Sequence, residues 1–169
     1  MELQTEILAK HHFRDDFSSG QESLDNYLKK QVNQDIRKRI SVCFVLVDKI
    51  NQNKIKGYYT LSNSSIPRTY LPEILQKKFP QSYKTIPTTL IGRLARDLTF
   101  KKQGIGEKLL IDALFRSYLV AKELGSFAVV VDPIDNFAVD FYTSYGFILL
   151  PDSGKMFLPM KTIEQLFEK

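Results

Sequence analysis

Between residues 88 and 131 the chain reads as strand, long helix and strand, and this run limits the fold more than any other feature. Residues 88–98 have strand character. Ile105, Leu109, Leu110, Ala113, Leu114, Ser117, Val120, Ala121 and Leu124 recur at helical spacing across 104–124, with Gly125 placed to stop the helix. Residues 127–131 are continuously apolar, as in a strand buried on both faces. Two strands joined through a helix run parallel in one sheet with a right-handed crossover.

The flanks fill out a mixed α/β domain. Residues 17–20 form a loop, and Ser23 is placed to cap a helix carrying Leu24, Tyr27, Leu28, Gln31 and Val32, which the charged residues 35–39 extend or follow. Residues 41–47 and 55–61 are strands separated by a turn, and so a hairpin. The proline-rich stretch 67–87 is a short helix within a long loop. Residues 135–145 form another helix, 148–150 and 155–158 short strands, and 162–168 a terminal helix. At 169 residues with 43% apolar and 25% charged side chains, the chain suits a single domain, 1–169, with its own core. It lacks a membrane-spanning apolar run and a signal peptide, and one cysteine forms no internal disulfide; these point to the cytoplasm. They also argue against a metal site built on cysteines.

The loop ahead of the long helix carries the first chemistry. Leu94-Ala95-Arg96 ends a strand, and Lys101-Lys102-Gln103-Gly104-Ile105-Gly106 opens the helix. Amides at a helix start lack intrahelical acceptors, and the helix dipole adds positive charge there, so the segment suits a pyrophosphate. It is not a Walker A loop, because Glu107 follows Gly106. Nor is it a dinucleotide fingerprint, because Leu109 occupies the place of the third glycine. Taken alone, the two glycines favour a plain tight loop, with glycine there for turn geometry.

The second constellation is Asp135 to Phe147, in which Ala138, Phe141, Tyr142 and Tyr145 share a helix face and Gly146 ends the helix. With both stretches in place, the chain resembles the GNAT acetyltransferases. Their Gln/Arg-x-x-Gly-x-Gly/Ala motif falls on 101–106, with Lys101 at its first position, and their Tyr-x-x-x-Gly-Phe pattern falls on 142–147. A narrower resemblance covers almost the whole chain. Phe17-Ser18-Ser19-Gly20, Leu24-Asp25-Asn26-Tyr27-Leu28, Gly57-Tyr58-Tyr59-Thr60-Leu61-Ser62, Ile91-Gly92-Arg93-Leu94-Ala95 and Phe157-Leu158-Pro159-Met160 are similar to the GNAT toxins of bacterial toxin–antitoxin pairs.

The resemblance implies the acyl-CoA N-acyltransferase fold, a central mixed sheet with a splayed parallel strand pair flanked by helices. It also implies acetyl-CoA as co-substrate, with no metal, and transfer of acetyl to the α-amino group of aminoacyl-tRNA, which blocks translation. The implied partners are the tRNA, a small ribbon-helix-helix antitoxin that alone contacts operator DNA, and a second copy of the chain in a homodimer, with no membrane involved. On this reading Leu94, Ala95 and Arg96 pair with the pantetheine arm, Lys101, Lys102, Gln103, Gly104, Ile105 and Gly106 hold the pyrophosphate, and Tyr142 is the general acid, with Tyr145, one helical turn away, the alternative donor. An α-amine, with a pKa of about 7.7–8.0 against about 10.4 for lysine, needs no strong base to react. Acetylation of a protein N-terminus, a lysine or a small amine stays open, as does a non-catalytic binding module.

The net charge of +5 is clustered. Lys29, Lys30, Arg37, Lys38, Arg39 and Arg93 are candidate RNA contacts, and a solvated basic face is the plainer role for the same residues. His11 and His12 lie far from both motifs in sequence and read as surface or core residues. Cys43, in an apolar strand, reads as core, and Tyr58, Tyr59 and Leu61 as sheet packing.

Overall fold

The computed structural model describes residues 1–168. In chain order the elements are β1 (Glu6–Ile7), α1 (Glu22–Asn26), a π-helical turn (Tyr27–Gln31), α2 (Val32–Arg37), β2 (Val42–Asp48) and β3 (Lys54–Pro67). There follow α3 (Glu73–Gln76), β4 (Thr85–Arg96), α4 (Ile105–Ala121), β5 (Ala128–Val131), α5 (Asn136–Ser144), β6 (Ile148–Leu149), β7 (Met156–Pro159) and α6 (Met160–Phe167). The strands form one seven-stranded sheet ordered β1-β2-β3-β4-β5-β7-β6. It is mixed: β4 and β5 are parallel, while β1–β2, β2–β3, β5–β7 and β6–β7 are antiparallel. The mixed α/β class and the βαβ unit read from the sequence are therefore present. β5 ends at Val131, opposite Ile91, whereas β4 runs on through residues 92–96.

The chain divides into two compact units, Met1–Ser62 with Gly92–Arg116, and Asn63–Ile91 with the described chain from Ser117 onward. In the first, the hairpin pairs Cys43 with Thr60 and Val45 with Tyr58. The helical stretch 22–37 buries Tyr27, Leu28 and Val32 in a core shared with Phe17, Cys43, Ile55 and Tyr58. Ser23 does not cap this stretch: Gln21 is the N-cap, and Ser23 lies inside α1. The Asp25 carboxylate fixes the entry instead, accepting from Ser19 N (2.9 Å) and Ser19 Oγ (2.6 Å), because an ionised oxygen is the stronger acceptor. β3 is longer than its apolar run suggests, since the polar residues 62–65 keep the two-residue alternation up to the buried Ile66.

The second unit centres on β5, every residue of which is buried. Ala128 and Val130 pack with Ile66, Leu71, Ile86, Leu150 and Phe157. α4 stops at Ala121, ahead of Gly125. Its last turn tightens through Lys122 N to Leu119 O and Glu123 N to Val120 O, so the glycine is not the stop and Val120 and Leu124 stay exposed. Leu98, counted with the strand by sequence, belongs to a 3-10 turn. The terminal helix starts at Met160, two residues before the expected 162. The short β1 left no sequence signal.

Candidate active site

Asp97 sets the path of the glycine loop. It is the N-cap of the 3-10 turn Leu98–Phe100, and its Oδ1 accepts from Thr99 N at 2.8 Å. Its Oδ2 accepts from Ser18 N at 3.0 Å, and Leu98 N donates to Ser18 O at 2.8 Å, so the turn is tied to the 17–20 loop. Burial opposes the carboxylate charge, but these hydrogen bonds and the nearby Lys54 outweigh it and hold Asp97 below the usual carboxylate range.

Beyond the turn, Lys101, Lys102, Gln103 and Gly104 are exposed, and Lys102 and Gly104 both have positive φ, +65° and +68°. Left-handed residues within a turn set consecutive amides facing one way, the geometry of an anion-binding nest. The helical ladder begins with Lys108 N donating to Gly104 O at 3.0 Å. The amides of Ile105, Gly106 and Glu107 therefore precede the first ladder bond, as at any helix start. A β-carbon on Gly104 would meet nothing within 4 Å, so it is the positive φ, not lack of room, that calls for glycine there. Ile105 is buried and anchors the helix start, while Lys56 lies over the Phe100 ring with Lys54, which is paired with Asp16 at 3.2 Å. The loop thus joins two left-handed residues, helix-start amides without intrahelical acceptors and two exposed lysines, features that suit an anion. On β4, Ala95 is buried and Leu94 and Arg96 are half-buried.

In the other unit, Asp135 caps α5 by accepting from Ala138 N at 2.8 Å. The helix closes in a Schellman motif: Phe147 N donates to Tyr142 O and Gly146 N to Thr143 O, with Gly146 at φ +91°. That motif brings the side chains five residues apart together, and the Tyr142 and Phe147 rings lie 5.2 Å apart. The spacing of tyrosine, glycine and phenylalanine is thus a helix stop that also fixes a phenol. Tyr142 is 8% exposed, and burial raises its pKa above the ordinary tyrosine value, so it is protonated at neutral pH.

Lys29, Lys30, Arg37, Lys38 and Arg39 are all exposed, and among the described residues none of them is in an ion pair. Arg93 differs. Its guanidinium stacks on the Tyr27 ring at 3.6 Å, and the Tyr27 hydroxyl donates to Asp35 Oδ2 at 2.8 Å. Cys43 is core as expected, its thiol pushed up to about 12 by burial. Tyr58 and Tyr59 are buried, also as expected. His12 is buried and accepts from Ala9 N at Nδ1 (2.8 Å), which leaves the ring proton on Nε2, 3.3 Å from Glu6 Oε1. The neutral ring's one lone pair, on Nδ1, is taken by the Ala9 amide, so in this arrangement His12 offers the Glu6–His11–His12 cluster none for a metal, and among the described residues its buried Nε2 has no hydrogen-bond partner.

No family model matches the chain. It is 31% identical, over 151 residues, to the tRNA-acetylating toxin of Mycobacterium tuberculosis, an alignment covering 89% of this chain and 87% of that protein. The chain belongs to the GNAT-fold tRNA-acetylating toxins. Solved toxins of this kind superpose closely. A tyrosine-to-phenylalanine mutant of KacT matches with a TM-score of 0.91 and 33% identity, covering 96% of this chain and 98% of that one. AtaT complexed with acetyl-methionyl-tRNAfMet matches at 0.89 and 32%, covering 98% and 99%. AtaTR bound with acetyl-CoA matches at 0.83 and 32%, covering 96% of each.

Three site-supporting residues of this toxin were not singled out by sequence reading. Asp97, two residues before Thr99 at a strand end, carried a capping signal in its residue type and place. Gly57 makes room for the helix start: a β-carbon there would lie 2.7 Å from Leu109 Cδ1 and 2.9 Å from the Ala95 carbonyl. Asp112 is fully buried on α4 and accepts from Thr5 Oγ1 (2.5 Å), the Tyr59 hydroxyl (2.7 Å) and Gln4 N (2.5 Å), which fastens the N-terminal segment to the helix. Its only sequence signal was an acid set within an apolar stripe.

Proposed function

We propose that this protein is the toxin of a toxin–antitoxin pair and transfers acetyl from acetyl-CoA to the α-amino group of aminoacyl-tRNA, which blocks translation. The whole chain acts as one acetyltransferase domain in the cytoplasm. Its cognate partner is a ribbon-helix-helix antitoxin, through which alone it meets operator DNA. The observation that carries the reading is the amide-lined loop at the start of α4, in a chain of this family, together with a solved relative that holds an acetylated aminoacyl-tRNA.

Acetyl-CoA supplies the activated acetyl thioester. The amides and lysines of 101–106 receive its diphosphate, and the backbone of Leu94, Ala95 and Arg96 pairs with the pantetheine arm like an added strand. The Tyr142 hydroxyl, protonated at neutral pH as a phenol ordinarily is, donates its proton to the departing sulfur. An α-amine is substantially unprotonated near neutral pH and attacks without a strong base. Lys29, Lys30, Arg37, Lys38 and Arg39 bind RNA phosphates, and Arg93, held flat on Tyr27, presents the edge of its guanidinium to the same backbone.

Incubation with labelled acetyl-CoA and matched sets of aminoacyl-tRNA, uncharged tRNA, peptides and small amines tests this. The expected product is label on aminoacyl-tRNA that is released as N-acetyl amino acid on deacylation. Label confined to peptides or small amines would assign a different acceptor. No label on any amine would make the chain a binding module.

A further inference from the structure

In the unit that holds β5, an apolar hollow of about 400 Å³ opens between three chain segments. Leu75 and Phe79 come from α3 and the turn after it, Phe127 precedes β5, and Pro159 and Met160 form the junction of β7 with α6. The walls are fixed: the Phe79 and Phe127 rings meet edge-on at 5.0 Å, and Met160 N donates to Phe127 O at 2.8 Å. A second hollow of about 260 Å³, beside Tyr118 and Glu164, shares Met160 and Lys161 with the first, so the two hollows adjoin, and the pair makes up a two-part trough. Two exposed lysines, Lys78 and Lys161, stand on the rim of the larger hollow, and among the described residues neither is in an ion pair.

From this juxtaposition of an apolar trough and two unpaired lysines, we propose that the trough is a docking site for an acidic peptide segment of a partner protein, with apolar side chains in the hollows and carboxylates on Lys78 and Lys161. Two neighbouring hollows suit apolar side chains spaced along a peptide, and the lysines favour negative charge. None of these residues belongs to the proposed cofactor, catalytic or RNA-contacting sets, so the inference stands apart from the acetyl-transfer reading.

The test is fluorescence anisotropy of the full chain with a labelled peptide carrying two leucines spaced by glutamates, beside the same peptide with lysines for the glutamates. The acidic peptide binds and the basic one does not. The double variant Lys78→Glu, Lys161→Glu weakens binding about tenfold or more, while its thermal midpoint and acetyl-CoA turnover stay as in the parent. Equal binding of both peptides, no binding of either, or no effect of the charge reversal would overturn the proposal. So would full displacement of the peptide by octanoate, which would make the trough a small-carboxylate site. Concentration-dependent dimerisation abolished by the same double variant would also overturn it, since a second copy would then be the occupant.

Discussion

Tyr142 is held by its helix end. Phe147 packs on its ring, the Schellman bonds fix its backbone, and burial raises the pKa of a phenol already protonated at neutral pH. Replacing it with phenylalanine removes one oxygen and leaves the packing, so kcat falls by 10²-fold or more, within the roughly 10²–10⁴ that general acids supply. Acetyl-CoA affinity measured by calorimetry changes little. Unaltered kcat would remove the phenol from proton transfer. Asp97 acts through the loop. Its folded pKa is lowered, so its contribution to stability is present above the unfolded value of about 3.9 and is lost as pH falls through the folded value. Asp97→Asn therefore costs about 1–3 kcal/mol at pH 7. Denaturant midpoints of the two proteins converge as the pH drops below about 4, whereas a gap that stays constant through the acid range would assign the loss to shape instead of charge.

The elements that were legible in the sequence are those whose pattern is set locally. The helical spacing of 105–117, the apolar run of β5 and the glycine after α5 each specify their own structure, and the hairpin followed from two β-branched runs. What escaped was set by distant neighbours. β1 is two residues long and exists through its pairing with Val45 and Phe44. The far half of β3 is polar, and the end of α4 is decided by a tightened last turn, not by Gly125. The roles of Gly57 and Asp112 depend on what the fold brings against them. Gly57 lies against Ala95 and Leu109, so Gly57→Ala pushes on the first turn of α4. Overpacking of this kind costs about 1–3 kcal/mol. The variant is expected to melt lower and to bind acetyl-CoA more weakly with kcat at saturation largely kept. An unchanged melting temperature and affinity would mean that the backbone yields at no cost.

Over the whole molecule, the net charge of +5 is not spread evenly, and the helical stretch 22–37 with the residues after it presents five exposed cations that, among the described residues, are in no ion pair. Phosphate contacts release counterions, so tRNA affinity falls steeply with salt, and each lysine removed lowers the slope by about 1. Lys29→Gln with Lys30→Gln is expected to weaken binding of all tRNAs alike, and a slope identical to the parent's would make this face a solubility device. Such placement was readable only as a cluster, because sequence does not say that Arg93 would be stacked on Tyr27 while Lys29, Lys30, Arg37, Lys38 and Arg39 are exposed. The account depends most on the loop that opens α4. A crystal structure of the protein with acetyl-CoA tests it directly: the diphosphate is expected within hydrogen-bonding distance of the amides of 103–106, with Lys101 or Lys102 beside it. A diphosphate bound elsewhere on the chain, with those amides still facing solvent, would contradict it.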